Sequence, residues 1–177
     1  MLLINFFGAP GAGKSTASAY IFSKLKMAGV NAEYVPEFAK DKVWEENETA
    51  LKNQVYIFGK QFYRITRCEN NVDVIICDSP LINSIVYNHD ERLGKTFNDL
   101  VLRVSDSYDS LNYLIKRVKP YNPKGRIQTE EESDELAVGI KNLLDKYNVK
   151  YREYNGDIVS YDKIVEEIKE KIFSSKT

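Results

Sequence analysis

Gly8-Ala9-Pro10-Gly11-Ala12-Gly13-Lys14-Ser15-Thr16 is the stretch that decides the fold. It matches G-x-x-x-x-G-K-[ST] in full, a spacing with a physical basis. Glycines permit backbone conformations that aim several N–H groups at one anion. A following helix adds the positive end of its dipole. Lys14 can then neutralise the β- and γ-phosphates of a nucleotide, and the Ser15 hydroxyl can ligate Mg²⁺. The whole run Gly8, Ala9, Pro10, Gly11, Ala12, Gly13, Lys14, Ser15 and Thr16 is therefore assigned to the cofactor, ATP. The context agrees. Leu2–Phe7 is short and apolar and reads as a buried strand. Lys14–Ala28 repeats Ala17, Ile21, Leu25 and Ala28 near helical spacing, with Gly29 as a stop.

Outward from this loop, strand and helix signals alternate. Ala32–Val35 is a second strand, ended by Pro36. Thr49–Asn70 reads as one helix with an apolar stripe of Leu51, Val55, Phe58, Phe62 and Ile65. Gln54 and Gln61 flank that stripe and Arg64 lies further round. Val72–Cys77 suits a strand buried on both faces, broken by Asp78-Ser79-Pro80. Leu81–Asn88 and Phe97–Val104 look like short helices, and Leu111–Val118 a fourth strand. The polar stretch from Lys119 to Gln128 is a loop. Thr129-Glu130-Glu131-Glu132 matches a capping box for a helix reaching about Tyr147. Val149–Tyr154 is a last strand and Ile158–Phe173 a closing helix. The alternation predicts an α/β fold with a parallel sheet of about five strands covered by helices on both faces.

Composition sets further bounds. The chain has 177 residues, 43 % of them apolar and 29 % charged, with a net charge of −1. That suits one soluble domain spanning residues 1–177 and supplies no global basic field for nucleic acid or membrane. No run approaches a membrane span, and the apolar start lacks the basic flank of a signal peptide. Cys68 and Cys77 lack metal-ligand spacing and fit a reducing, cytoplasmic setting. Cys77 reads as a core residue and the single His89 as a surface or helix-end one.

Val74-Ile75-Ile76-Cys77-Asp78 ends an apolar strand in an acid. In a phosphate-loop fold that position is near Mg²⁺, so Asp78 is the expected metal-side carboxylate beside Ser15; capping the next helix is the alternative role.

The strand–loop–helix start, Tyr34-Val35-Pro36-Glu37-Phe38-Ala39-Lys40, the helix carrying Gln54 and Gln61, and Cys77-Asp78-Ser79-Pro80 together resemble the small P-loop kinase-like ATPases. That family includes ribosylnicotinamide-kinase domains and bacteriophage homologues, and the plan is also similar to nucleoside and nucleotide kinases. The resemblance implies the three-layer P-loop NTPase fold and an ATP- and Mg²⁺-dependent kinase. It places Glu37 near the acceptor hydroxyl as a catalytic carboxylate, and Gln54, Gln61 and Arg64 with Glu37 around the acceptor. Four cations lie between Arg117 and Arg126, interrupted by Pro120, Pro123 and Gly125. This loop, at about 117–129, resembles the lid of small kinases, with Arg117 and Arg126 reaching the transferring phosphoryl group beside Lys14 and Asp78. Tyr121 within it either stacks on a base or packs.

Three functions stay open at this point. The leading one phosphorylates a small acceptor, a nucleoside or nucleotide. The second has a nucleic acid as acceptor, at a strand end or a modified base. The third is an ATP- or GTP-driven switch, against which no guanine-reading Asn-Lys-x-Asp element is present. Oligomeric state is not legible in the sequence.

Overall fold

The apolar strand that precedes the glycine loop is the axis of the molecule. In the computed structural model, which describes residues 1–174, β1 (Leu2–Phe7) is buried at every position. It lies between β3 (Val74–Cys77) and β4 (Ser110–Lys116), with β2 (Ala32–Val35) and β5 (Arg152–Asn155) outside them, in the order β2-β3-β1-β4-β5. Every pairing is parallel. Parallel strands need crossover connections, which here are helical. They also bring all five C-terminal ends to one edge. Register fixes this: Cys77 faces Asn5 on one side and Val35 on the other, and Leu114 faces Phe7. The glycine loop, Glu37, Asp78, Arg117 and Gly156 therefore leave the sheet on the same edge, where ligands of open α/β sheets bind.

Two cores flank the sheet. On one face Ile4, Phe6, Ile76 and Ile115 pack with Ile21 and Leu25 of α1 (Lys14–Met27) and Ile164 and Ile168 of α8 (Ile158–Ser174). On the other, Leu3, Phe7, Val35, Ile75 and Leu114 meet Phe58 and Ile65 of α4 (Gln54–Thr66), Phe97 and Val101 of α6 (Gly94–Ser105), and Ile140 and Leu144 of α7 (Glu130–Lys146). This is the three-layer arrangement expected from the alternating pattern. Asn5 interrupts the second apolar face, and its amide donates to Asn112 Oδ1 at 2.9 Å across the β1–β4 register.

The expected single helix over Thr49–Asn70 is two helices. α3 (Glu48–Lys52) stops at Asn53, whose φ of −94° and ψ of 87° are not helical. The Asn53 side chain accepts from the Tyr56 N–H at 3.0 Å and starts α4. Asn47 caps α3 in the same way through Ala50. Each asparagine competes for backbone donors, and a cap outweighs continuation. The break also rotates the stripe: Gln54, Ile57, Phe58, Gln61 and Ile65 face inward, whereas Val55 is 50 % exposed. Phe38–Trp44 forms α2, a helix the sequence pattern did not suggest. Leu81–Asn88 resolves into a 3-10 turn, Leu81–Asn83, and the short α5, Ser84–Tyr87.

The Thr129 capping box is present in both directions, with Thr129 Oγ1 accepting from the Glu132 N–H and Glu132 Oε2 from the Thr129 N–H. Cys68 and Cys77 are free and buried. Burial pushes the Cys77 thiol up to about 12, which removes it as a nucleophile. His89 is exposed in the loop after α5. No helix among the described residues is long and apolar enough to cross a membrane.

Asn53→Ala is expected to cost about 1 kcal/mol of stability, the usual worth of a lost N-cap. A urea titration should show a lower midpoint with an unchanged slope.

Candidate active site

Helices α1 and α7, both in contact with the glycine loop, start in opposite ways. α7 has a capping side chain and three glutamates in its first turn. α1 has Gly13 at its cap, no side-chain cap bond, and no acid in its first turn. The first N–H groups of a helix need partners from outside it. In α7 Thr129 takes the Glu132 N–H; α1 has no such side-chain cap, and its dipole favours an anion there. Gly8 and Gly13 hold φ of 142° and 103°. A side chain at Gly8 would meet the Ile115 carbonyl at 2.6 Å, and one at Gly13 the Tyr161 hydroxyl at 2.8 Å. Both glycines are thus fixed by backbone angle and by close packing.

Three contacts outside the motif brace this loop. Ser133 of α7 donates its hydroxyl to the Pro10 carbonyl at 2.8 Å. Tyr161 of α8 donates to the Gly13 carbonyl at 3.3 Å. Gly156, just past β5, passes so close that a Cβ there would lie 2.4 Å from the Ala12 carbonyl. Sequence reasoning missed all three residues. Only the glycine carried a signal, as a small residue at a strand end.

Lys14 folds back, its Nζ donating to the Ala9 carbonyl at 3.3 Å. Ser15 and Thr16 are exposed on the first turn of α1. Asp78 is 2 % exposed. Its Oδ2 accepts from the Tyr34 hydroxyl at 3.3 Å, while its Oδ1 is buried with no hydrogen-bond partner among the described residues. It does not cap the following turn, where Pro80 stands at the cap position. An ionised, half-satisfied buried carboxylate is costly unless a cation or a water completes it. Asp78 and Ser15 are both hard oxygen donors, the kind Mg²⁺ takes, so the residues present fit that ion.

Glu37 occupies the cap position of α2 without a side-chain cap bond. It is half-buried. Desolvation raises its pKa above the usual carboxylate range; Lys14 opposes this and Asp78 adds to it. Glu37, Lys14 and Asp78 therefore share one electrostatic neighbourhood at the C-terminal edge of β1, β2 and β3. Two phenols join it. Burial and then Asp78 raise the pKa of Tyr34, and burial and then Glu37 raise that of Tyr87.

The remaining candidates divide by what already holds them. Gln61 is buried; its Oε1 accepts from the Phe38 N–H at 2.8 Å and its Nε2 donates toward the Pro36 carbonyl at 3.4 Å. Arg64 donates to the Pro36 carbonyl at 3.2 Å, pairs with Asp41, and lies over the Phe38 ring. Both tie α4 to the chain leaving β2. Gln54 is buried and donates to the Leu51 carbonyl at 3.1 Å. Arg117 is forked between Asp134 at 2.7 Å and Glu130 at 3.1 Å. Arg126 donates one nitrogen to the Asn122 and Lys124 carbonyls inside its own loop. That loop lies on the cradle, since a side chain at Gly11 would touch the Tyr121 ring at 3.2 Å and Arg126 Nε at 3.7 Å.

A family model described as an AAA domain matches residues 3–160. The chain belongs to that family. Among curated proteins none matches the sequence. Among solved structures, this AAA-domain protein resembles deoxyadenosine kinase from M. mycoides. The form with the products dCMP and a flexible dCDP bound aligns with a TM-score of 0.58 at 21 % identity, over 98 % of this chain and 100 % of that one. The form with bound dATP aligns with a TM-score of 0.59 at 21 % identity, over 94 % and 98 %. These likenesses bear on the fold: the sheet and its covering helices are arranged as in that kinase.

Two outcomes follow from this geometry. Gly156→Ala is expected to push on the Ala12 carbonyl and weaken binding of a fluorescent ATP analogue by about tenfold, equivalent to ~1.4 kcal/mol; titration by anisotropy reads it. The second concerns Glu37. An acid whose pKa is raised on folding costs stability where it is ionised. The cost is absent below the ordinary value of 4.5 and complete above the folded-state value. Glu37→Gln is therefore expected to raise Tm at pH 7.5, with the gain shrinking toward pH 4 in a calorimetric pH series.

Proposed function

We propose that this protein is an ATP- and Mg²⁺-dependent kinase that phosphorylates a hydroxyl of a neutral nucleoside. The observation that carries the reading is the placement of Glu37. It stands at the β2 end in the electrostatic field of Lys14 and Asp78, partly desolvated, and spends nothing on capping its own helix. A carboxylate there costs stability, which points to a chemical task. The fold likeness to deoxyadenosine kinase supports the same class.

In this reading the loop N–H groups and the start of α1 bind the β- and γ-phosphates, and Lys14 swings from the Ala9 carbonyl onto them. Ser15 and Asp78 would hold Mg²⁺, which neutralises phosphate charge when bound. Tyr34 fixes Asp78 Oδ2 and leaves Oδ1 free for that purpose. The acceptor hydroxyl forms its bond to the γ-phosphorus as the bond from phosphorus to the ADP oxygen breaks, and the hydroxyl proton passes to Glu37. A carboxylate with a raised pKa suits this, because a base too weak would not take the proton.

The acceptor side favours a nucleoside over a nucleotide. Arg64, the one arginine of the predicted acceptor set, is already neutralised by Asp41 and bonded to the Pro36 carbonyl. Gln61 is used at both ends of its amide. What faces the cradle on this side is Glu37, Asp78, Tyr34 and Tyr87, and two carboxylates repel a phosphorylated acceptor. Gln54 is the residue assigned to the base, through the part of its amide not given to Leu51.

The test is a panel of nucleosides, nucleoside monophosphates and single-stranded DNA with labelled ATP. Labelled nucleoside monophosphate is expected from wild type, and Lys14→Ala should lower its rate by 10²-fold or more, the scale on which loss of one transition-state charge contact acts. Undiminished turnover by Lys14→Ala would remove the cradle from the chemistry. Label on DNA alone would move the acceptor to a polymer, and phosphate release without any labelled acceptor would leave an ATPase.

A further inference from the structure

The 117–129 loop is seated on the cradle by a chain of contacts that ends in one tyrosine. Arg117 is anchored to α7 by Asp134 and Glu130. α7 is itself tied to the cradle, because Ser133 donates to the Pro10 carbonyl. The Arg117 guanidinium lies over the Tyr121 ring, 5.4 Å from its centroid, and the Arg126 guanidinium lies over the same ring at 5.6 Å. The ring edge rests on Gly11, 3.2 Å from where a side chain there would begin, which is tighter than ordinary contact. The Tyr121 hydroxyl donates to the Gln128 carbonyl at 2.6 Å, closing the loop across its base.

Two guanidinium groups on one ring would repel each other in isolation. Here they differ in what neutralises them. Arg117 is discharged by two carboxylates, whereas among the described residues the hydrogen bonds of Arg126 go to backbone carbonyls and no carboxylate pairs with it, so its positive charge remains available. One of its terminal nitrogens is taken by the Asn122 and Lys124 carbonyls. That bond fixes the plane of the fork, and the ring face fixes its height above Gly11. We infer that Tyr121 is a positioning residue: its ring carries Arg126 against the phosphate cradle, with Arg117 as the fixed support on the other side of the contact chain. This rests on the kinase reading for its consequence, in which Arg126 meets the transferring phosphoryl group, and it separates the two lid arginines. Arg117 supports the loop, and Arg126 acts.

Two measurements test it. The first needs no turnover. Trp44 is the only tryptophan in the chain, and a side chain on Gly125 would lie 2.8 Å from its ring, so Trp44 emission reports the seating of the loop. Tyr121→Leu is expected to shift that emission and to speed tryptic cleavage after Arg126, and Tyr121→Phe to restore both. The second is a double-mutant cycle on the single-turnover transfer rate. Tyr121→Leu should slow transfer on the order of tenfold or more, as misplacement of a phosphate-binding group does, with the ATP dissociation constant within about threefold of wild type. In the Arg126→Ala background the same change should add nothing. Full additivity with Arg126→Ala, or wild-type emission and cleavage in Tyr121→Leu, overturns the inference. Should wild type phosphorylate no acceptor, the kinase reading falls on its own, and the same cycle run on ATP hydrolysis decides the role of Tyr121.

Discussion

The molecule is organised around a bend that ordinary side chains cannot make. Between β1 and α1 the backbone turns through left-handed angles at Gly8 and Gly13, and neighbouring groups sit where a Cβ would be. A left-handed residue with a side chain costs roughly 1–2 kcal/mol before any clash is counted. The bend is held from four directions: the Ile115 carbonyl, Ser133, Gly156 and Tyr161. These contributors come from β4, α7, the β5–α8 connection and α8. The late half of the chain thus shapes a loop encoded within the first turn of the fold. Truncating or reordering that half would release the cradle even with its nine residues intact.

The same edge concentrates charge of opposite sign on its two sides. The cradle offers N–H groups, Lys14 and the loop cations. Across from it stand Glu37, whose pKa burial raises, and Asp78, whose Oδ1 is buried with no hydrogen-bond partner among the described residues. Two carboxylates and two phenols in one desolvated place are an unfavourable arrangement for stability alone. They become favourable when a divalent cation and a transferring phosphoryl group lie between the two sides, because each charge then has a partner. On the proposed kinase reading, the site would be complementary to a loaded, reacting state and not to itself, which is the general design of a catalyst.

The sequence disclosed most of the fold because its signals are local. The glycine loop, the apolar strands and the Thr129 capping box each depend on residues close together in the chain, and all fall where expected. The break at Asn53 was concealed because an asparagine inside an amphipathic pattern reads as ordinary helix surface until its cap bond is seen. That error rotated α4 and hid the burial of Gln54 and Gln61. Gln61 is fastened to Phe38 and Pro36, which lie far from it in sequence, and Gln54 is buried at the start of α4 with its amide on the Leu51 carbonyl. α2 was invisible because seven residues carry too little periodicity. Asp78 was singled out from its strand-end position and Glu37 from the family resemblance, and the parallel sheet brings the two strand ends to one edge. Ser133 and Tyr161 were not singled out, since nothing local in the sequence distinguishes a brace from any other serine or tyrosine.

The lid shows how one composition can carry two roles. Arg117 and Arg126 look alike in the sequence, each a cation near a proline or glycine. Their neighbours distinguish them. Arg117 follows β4 directly, so the sheet fixes its backbone and the acidic first turns of α7 take its charge. Arg126 follows a turn closed by its own N–H on the Pro123 carbonyl at 3.1 Å, and nothing acidic reaches it among its hydrogen-bond and ion-pair partners in the described residues. Glu130 and Asp134 of α7 therefore do more than favour that helix dipole. By neutralising the nearer arginine they let a second cation approach the same tyrosine ring, and so bring one positive charge to the edge where, on the proposed reading, the phosphates would be held.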